Sequence, residues 1–183
     1  MRHSTPLAAL ALLALAACAS VVPDTPTTVS VVNSLSFDNA VSGKRDGLRS
    51  AWPAATLGGT TEQFPMAQIR HCDAAGACSW GVLKAQRSFG KVREMPRGVA
   101  LDVDVVVELD RSLHTKDKGL DATLTIPADV GAIKGKLVET RSVVLEYGKV
   151  TRIDFKYGIS YELCALRLDA ARQPMDTCDI AYF

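Results

Sequence analysis

The sequence predicts an all-β fold, an antiparallel β-sandwich or small barrel of about eight or nine strands with disulfides clamping its hairpins. Three observations point there. Apolar and polar residues alternate with period two through most of the chain, and no long stretch keeps a 3.6-residue period. Turn-forming residues interrupt these runs at short intervals. Four cysteines, Cys72, Cys78, Cys164 and Cys178, fall in two local pairs around small or polar segments.

The 183 residues are 48% hydrophobic and 22% charged, with a formal net charge of +1. That length suits one folded domain, placed at residues 28–183. The apolar fraction argues against general disorder. The even charge balance lacks the strongly basic footprint that drives nucleic-acid binding, so no nucleic-acid partner is expected.

The clearest strand is 101–109. Leu101, Val103, Val105, Val107 and Leu109 point one way, while Asp102, Asp104, Val106 and Glu108 point the other. Further strands are expected at 28–37, 63–72, 78–93, 121–126, 135–146, 151–157, 159–168 and 178–183. Residues 38–61 contain Gly43, Gly47, Pro53, Gly58 and Gly59. An irregular loop is expected there, with one helical turn near Leu48.

Two registers follow from the pattern. A three-residue loop, Gly148-Lys149-Val150, would place Leu145 opposite Ile153, Val143 opposite Phe155 and Glu146 opposite Arg152. A four-residue loop after Met95 would pair Arg93 with Asp102, Lys91 with Asp104, Phe89 with Val106 and Arg87 with Glu108. This ladder of opposite charges accounts for the acidic stripe of Asp102, Asp104, Glu108 and Asp110 more simply than a Ca²⁺ site, which needs six to eight oxygens. It also uses three charges of the basic cluster Lys84, Arg87, Lys91, Arg93 and Arg97, whose other reading is contact with lipid phosphate or peptidoglycan.

The N-terminus carries an address. A short basic start, Met1-Arg2-His3, precedes eleven uninterrupted Leu and Ala residues from Leu7 to Ala17. Such a run is too short to span a bilayer but suits the core of a secretory signal. It ends in Leu15-Ala16-Ala17-Cys18, which resembles the lipobox of bacterial lipoproteins. The resemblance implies a signal peptide at 1–17, diacylglycerol on the Cys18 thiol and a lipidated tether at 18–27. Ala19 in place of aspartate implies the outer membrane, on its periplasmic face, rather than the inner membrane. The plainer alternative is an ordinary signal cut near Ala17 or Ala19. Cleavage before Cys18 would bring the formal charge to zero, leaving lipid rather than electrostatics as the anchor.

An exported compartment favours two disulfides, Cys72–Cys78 and Cys164–Cys178, each closing the base of a hairpin. Neither pair has the Cys-x-x-Cys spacing of a metal knuckle, and no cofactor or metal is expected. His71, beside Cys72, and His114, in a charged segment, read as structural histidines. No Gly-x-Ser-x-Gly elbow or phosphate-binding loop is present. Catalytic residues are therefore not assigned. Tyr182-Phe183 is similar to the end of an outer-membrane barrel strand, but Asp179 would share the lipid face with Phe183, at a cost.

These readings converge on a lipid-anchored, periplasm-facing β module that binds a protein or envelope polymer, as an adaptor, inhibitor or assembly subunit. The competing class is a hydrolase of cell-envelope components. The expected contact surface is the 38–61 segment, where Lys44, Arg45 and Arg49 accompany Trp52. Arginine and tryptophan dominate binding hot spots, and long loops on a rigid scaffold often carry function. The opposing reading makes Trp52 a plug at the end of the core.

Overall fold

The computed structural model describes residues 28–117 and 120–180, with the side chains of Asp117 and Leu120 left aside. Cys18, the lipobox, the tether and residues 181–183 lie outside the described residues. Twelve strands are formed among the described residues. One sheet runs β11 (Thr151–Asp154), β12 (Ser160–Leu168), β1 (Thr28–Asp38), β2 (Arg45–Pro53). The facing sheet runs β10 (Gly135–Glu146), β6 (Gly98–Asp110), β5 (Cys78–Met95), β3 (Thr61–Gln63), with β4 (Ala67–Cys72) and the two-residue β9 (Gly131–Ala132) also on β5. Among the strand pairs of the described residues, β5–β9 alone is parallel. A separate hairpin joins β7 (Ser112–Asp117) to β8 (Leu120–Thr125). The architecture is an antiparallel β-sandwich.

Alternation builds its core. Leu101, Val103, Val105, Val107 and Leu109 on β6 are all buried. They meet Leu35 and Phe37 of β1 and Tyr161 and Leu163 of β12 in one apolar cluster between the sheets. The sheets also touch directly at isolated bridges, Asn39 with Ile69 and Tyr147 with Ala165. β1 is buried on both faces. Its Val29, Val31, Leu35 and Phe37 enter the main core. Val32 faces outward into a second cluster with Cys164, Leu166, Cys178 and Ile180.

The 38–61 segment departs from expectation. Its longest element is a strand, β2, paired with β1 from Ser30↔Pro53 to Asp38↔Arg45. The helical turn falls at Ala54–Leu57 (α1), not near Leu48. The connecting turn is fixed by Asn39, whose Oδ1 accepts from the backbone N–H of Val41 (2.9 Å) and Ser42 (3.1 Å). Gly43, at φ +66°, completes it. Glycine and proline masked β2 because its inward row mixes Leu48 and Trp52 with polar Asp46 and Ser50.

Both expected registers are replaced. β5 and β6 join through a two-residue turn, with Met95 opposite Gly98, and a bulge lies between Phe89 and Val92. Arg93 consequently faces Ala100, Ser88 faces Asp104, and Arg87 faces Val105. An odd shift in register exchanges the two faces of a strand, so Arg87 turns inward with Leu83, Ala85 and Phe89. Gly90 permits the bulge: a Cβ there would lie 3.0 Å from the Asp102 Cβ. The second hairpin does not form at all. β10 pairs with β6 and β11 with β12, so residues 147–150 cross between sheets. Leu145 and Ile153 are nevertheless both buried, as alternation requires. Glu146 pairs with Lys149 and Arg152 with Glu162, rather than with each other.

The charged segment that holds His114 contributes a strand, β7. Residues 178–180 carry no strand; they are a coil covering the outer side of β1 and β12.

Candidate functional site

The sandwich parts the four expected contact residues, with Arg45 and Arg49 on one face of β2, Trp52 on the other and Lys44 in the turn before the strand. Successive β2 side chains alternate, so Arg45 and Arg49 occupy its outer face and Trp52 its inner face. Lys44 is exposed in the turn just before them, and Arg49 is exposed on the strand. Arg45 is tied into the sheet. Its Nη2 donates to Ser36 Oγ (2.9 Å) and Ser160 Oγ (2.8 Å), and its Nη1 donates to the Gly158 carbonyl. Asp38 Oδ1 stands 3.4 Å from Nη1.

Among the described residues β2 is also the terminal strand of its sheet. The Asn39 N–H bonds to Lys44 O at 2.9 Å, which makes that a hydrogen-bonded antiparallel pair. Even-numbered β2 residues therefore direct their backbone groups toward β1, and odd-numbered residues direct theirs to the open edge. Backbone from Arg45, Arg49 and Ala51 thus faces outward beside the two arginine side chains.

Trp52 is half-buried against the main core. Its Nε1 donates to Glu62 Oε2 at 3.1 Å, and Glu62 is the partner of a wholly buried Arg87. The guanidinium also donates to Ser50 Oγ. Phe64 and Phe89 hold their rings 5.0 and 5.2 Å from its carbon, a cation–π arrangement. Burial lowers the Arg87 pKa from its ordinary value. Burial likewise raises the neighbouring Tyr161 phenol, against the opposing pull of Arg87. This polar cluster inside the core was not foreseen, because the expected register placed Arg87 outside. The Leu83-x-Ala85-x-Arg87-x-Phe89 alternation was its available signal.

Both disulfides are formed, Cys72–Cys78 and Cys164–Cys178. The first closes the β4–β5 hairpin, where its cysteines are register partners. The second closes no hairpin of two strands; it fixes the C-terminal coil to β12. Asp176 reinforces that attachment by accepting Arg167 Nε (3.0 Å), Nη2 (2.8 Å) and backbone N–H (2.9 Å). The Arg167 hydrogen bonds hold the Asp176 carboxyl below the usual carboxylate range.

The acidic stripe is answered from β10, not β5. Asp102 accepts from Ser142 (2.5 Å) and Asp104 from Thr140 (2.8 Å). Asp110 pairs with Lys134 at 3.0 Å, and Lys136 approaches Glu108 at 4.0 Å. Among the described residues, no three His, Cys, Asp or Glu side chains converge on a metal position. The basic cluster is split, since Arg87 is internal while Lys84 donates to the His114 carbonyl (3.2 Å). His114 sits on β7 within 3.2 Å of Thr123 Oγ1 and 3.5 Å of Asp121. His71 meets the Tyr157 ring edge-on at 5.7 Å.

A groove of about 400 Å³ separates the β7–β8 hairpin from the segment after β3. Phe64, Pro65, Met66, Ala122 and Leu124 line it, and Gln63 Nε2 donates to Thr115 Oγ1 across one end at 2.7 Å.

Fold and site together define a disulfide-stapled antiparallel sandwich with a basic open edge. No family model, curated protein or solved structure matches the chain.

Proposed function

We propose that this protein is a lipid-anchored lipoprotein of the bacterial envelope that acts by binding. Cys18 carries the lipid, and the sandwich faces the periplasm from the outer membrane. The partner is a protein or envelope polymer with acidic groups. It docks on the edge of β2, where backbone groups of Arg45, Arg49 and Ala51 meet the side chains of Lys44, Arg45 and Arg49. That edge is the observation that supports the reading most directly. Extended partners add to open sheet edges through main-chain bonds, with side chains supplying selectivity. Trp52 contributes by fixing β2 to Glu62 and the core. Two disulfides suit an oxidising, exported location.

The test uses the full chain in cells fed an alkyne-bearing fatty acid, with a photo-crosslinking residue at Arg49. The chain should take up the label, and Cys18→Ala should abolish it. Crosslinks at position 49 should disappear when Lys44→Glu is added. Label retained by Cys18→Ala overturns the anchor. Turnover of peptidoglycan or ester substrates by the purified protein overturns the binding reading in favour of a hydrolase.

A further inference from the structure

The opposite side of the sandwich carries a second open edge. Among the described residues β10 ends its sheet, pairing only with β6, and eight of its twelve residues are exposed. The Tyr147 N–H bonds to Arg97 O at 3.2 Å, continuing the β10–β6 register. Odd-numbered β10 residues thus spend their backbone groups on β6, while even-numbered residues aim theirs outward. A long, flat edge of this kind is a template for another strand unless charges guard it. Two charges do. Glu139 and Arg141 stand on the inner face, their heads 3.2 Å apart, between Leu137 and Val143.

Their spacing is self-complementary. We propose that β10 is a homodimer interface, in which the strand adds antiparallel to β10 of a second copy about a two-fold axis at Thr140. Thr140 then faces Thr140 of the second copy, and Val138 faces Ser142. Even residues oppose even residues, so the outward backbone groups from Lys136 to Val144 all find partners. On the inner face Glu139 meets Arg141 of the second copy, twice by symmetry, and Leu137 meets Val143. Such an isologous contact closes on itself and builds no fibre.

The same charges reject the neighbouring registers. Sliding one strand by two residues keeps the backbone pairing but sets Glu139 against Glu139, or Arg141 against Arg141. Sliding by one residue opposes odd to even positions and breaks the hydrogen-bond pattern. Like charges directly opposite one another destabilise a strand pair. Val138 and Val144, 53% and 57% exposed, lie along the outer face of this strand and gain cover from the second copy.

Cysteine crosslinking in the full chain, in its membrane, tests the register. A hydrogen-bonded antiparallel pair holds its Cα atoms about 5.5 Å apart, within disulfide range. Thr140→Cys should give a dimer on a non-reducing gel, and the unaltered chain should not. Val138→Cys with Ser142→Cys should crosslink, and each alone should not. Glu139→Arg or Arg141→Glu, added to Thr140→Cys, should abolish the crosslink, and both together should restore it. A monomer from Thr140→Cys overturns the interface, and a dimer that ignores the charge reversals overturns the register.

Discussion

Arg87 donates to Glu62 from within the apolar core, with Phe64 and Phe89 against its guanidinium. The two partners are unequal. Arg87 has no exposed side-chain surface, whereas Glu62 retains 34%. Removing either one therefore has different consequences.

Glu62→Ala strands a cation inside the sandwich and should cost about 3 kcal/mol or more, as for other broken buried pairs. Arg87→Met leaves Glu62 able to turn to water and still accept from Trp52, so it should be neutral or stabilising. Urea unfolding of both variants decides the matter. Equal losses would mean that Arg87 contributes through packing and not as a charge needing a partner.

Asp176 gives the fold an acid limit. Its carboxyl accepts three bonds from Arg167 and sits below its ordinary pKa. The folded chain therefore binds this proton less readily than the unfolded chain does. The stabilisation is complete above the unfolded value of about 4 and is lost as pH falls through the lower folded value. Asp176→Asn should lower the urea midpoint at neutral pH, and the gap to the unaltered protein should narrow as the pH falls through the lowered folded value. A gap that persists at low pH would mean the side chain acts by shape alone.

How much of this was legible varies by element for physical reasons. β6 was plain because its inward residues are uniformly branched and apolar. β2 was hidden because an edge strand needs only one apolar row, and here Ser50 and Asp46 interrupt it. The β5–β6 register failed first at the turn, which takes two residues rather than four, and again at the bulge, since a single inserted residue is invisible to a period-two pattern yet reverses every side chain beyond it. That failure also concealed Arg87. The β10–β11 hairpin was self-consistent in sequence but lost to β6, which pairs with β10 along its whole length, while β11 pairs with β12. The cysteine pairs were readable because nearness in sequence restricts them. The expected contact residues were separated by alternation, which sends Trp52 inward and the two arginines outward.

The disulfides provide the last prediction. Cys72–Cys78 spans six residues and joins neighbours already paired in a hairpin. Cys164–Cys178 spans fourteen and holds a coil whose other ties to β12 are an isolated Leu168–Pro174 bridge, the Met175 N–H bond to Arg167 O and the Arg167–Asp176 pair. On the chain-entropy model, closing these loops contributes about 2 and about 3 kcal/mol respectively. The second bridge also presses Ile180 against Val32 and Leu166, burying a cluster that the free coil would surrender. Replacing Cys164 and Cys178 together with alanine should therefore destabilise the protein more than the same change at Cys72 and Cys78. It should also expose 169–180 to limited proteolysis. Equal losses in urea, with that coil still protected, would show that Arg167 and Asp176 suffice to hold it.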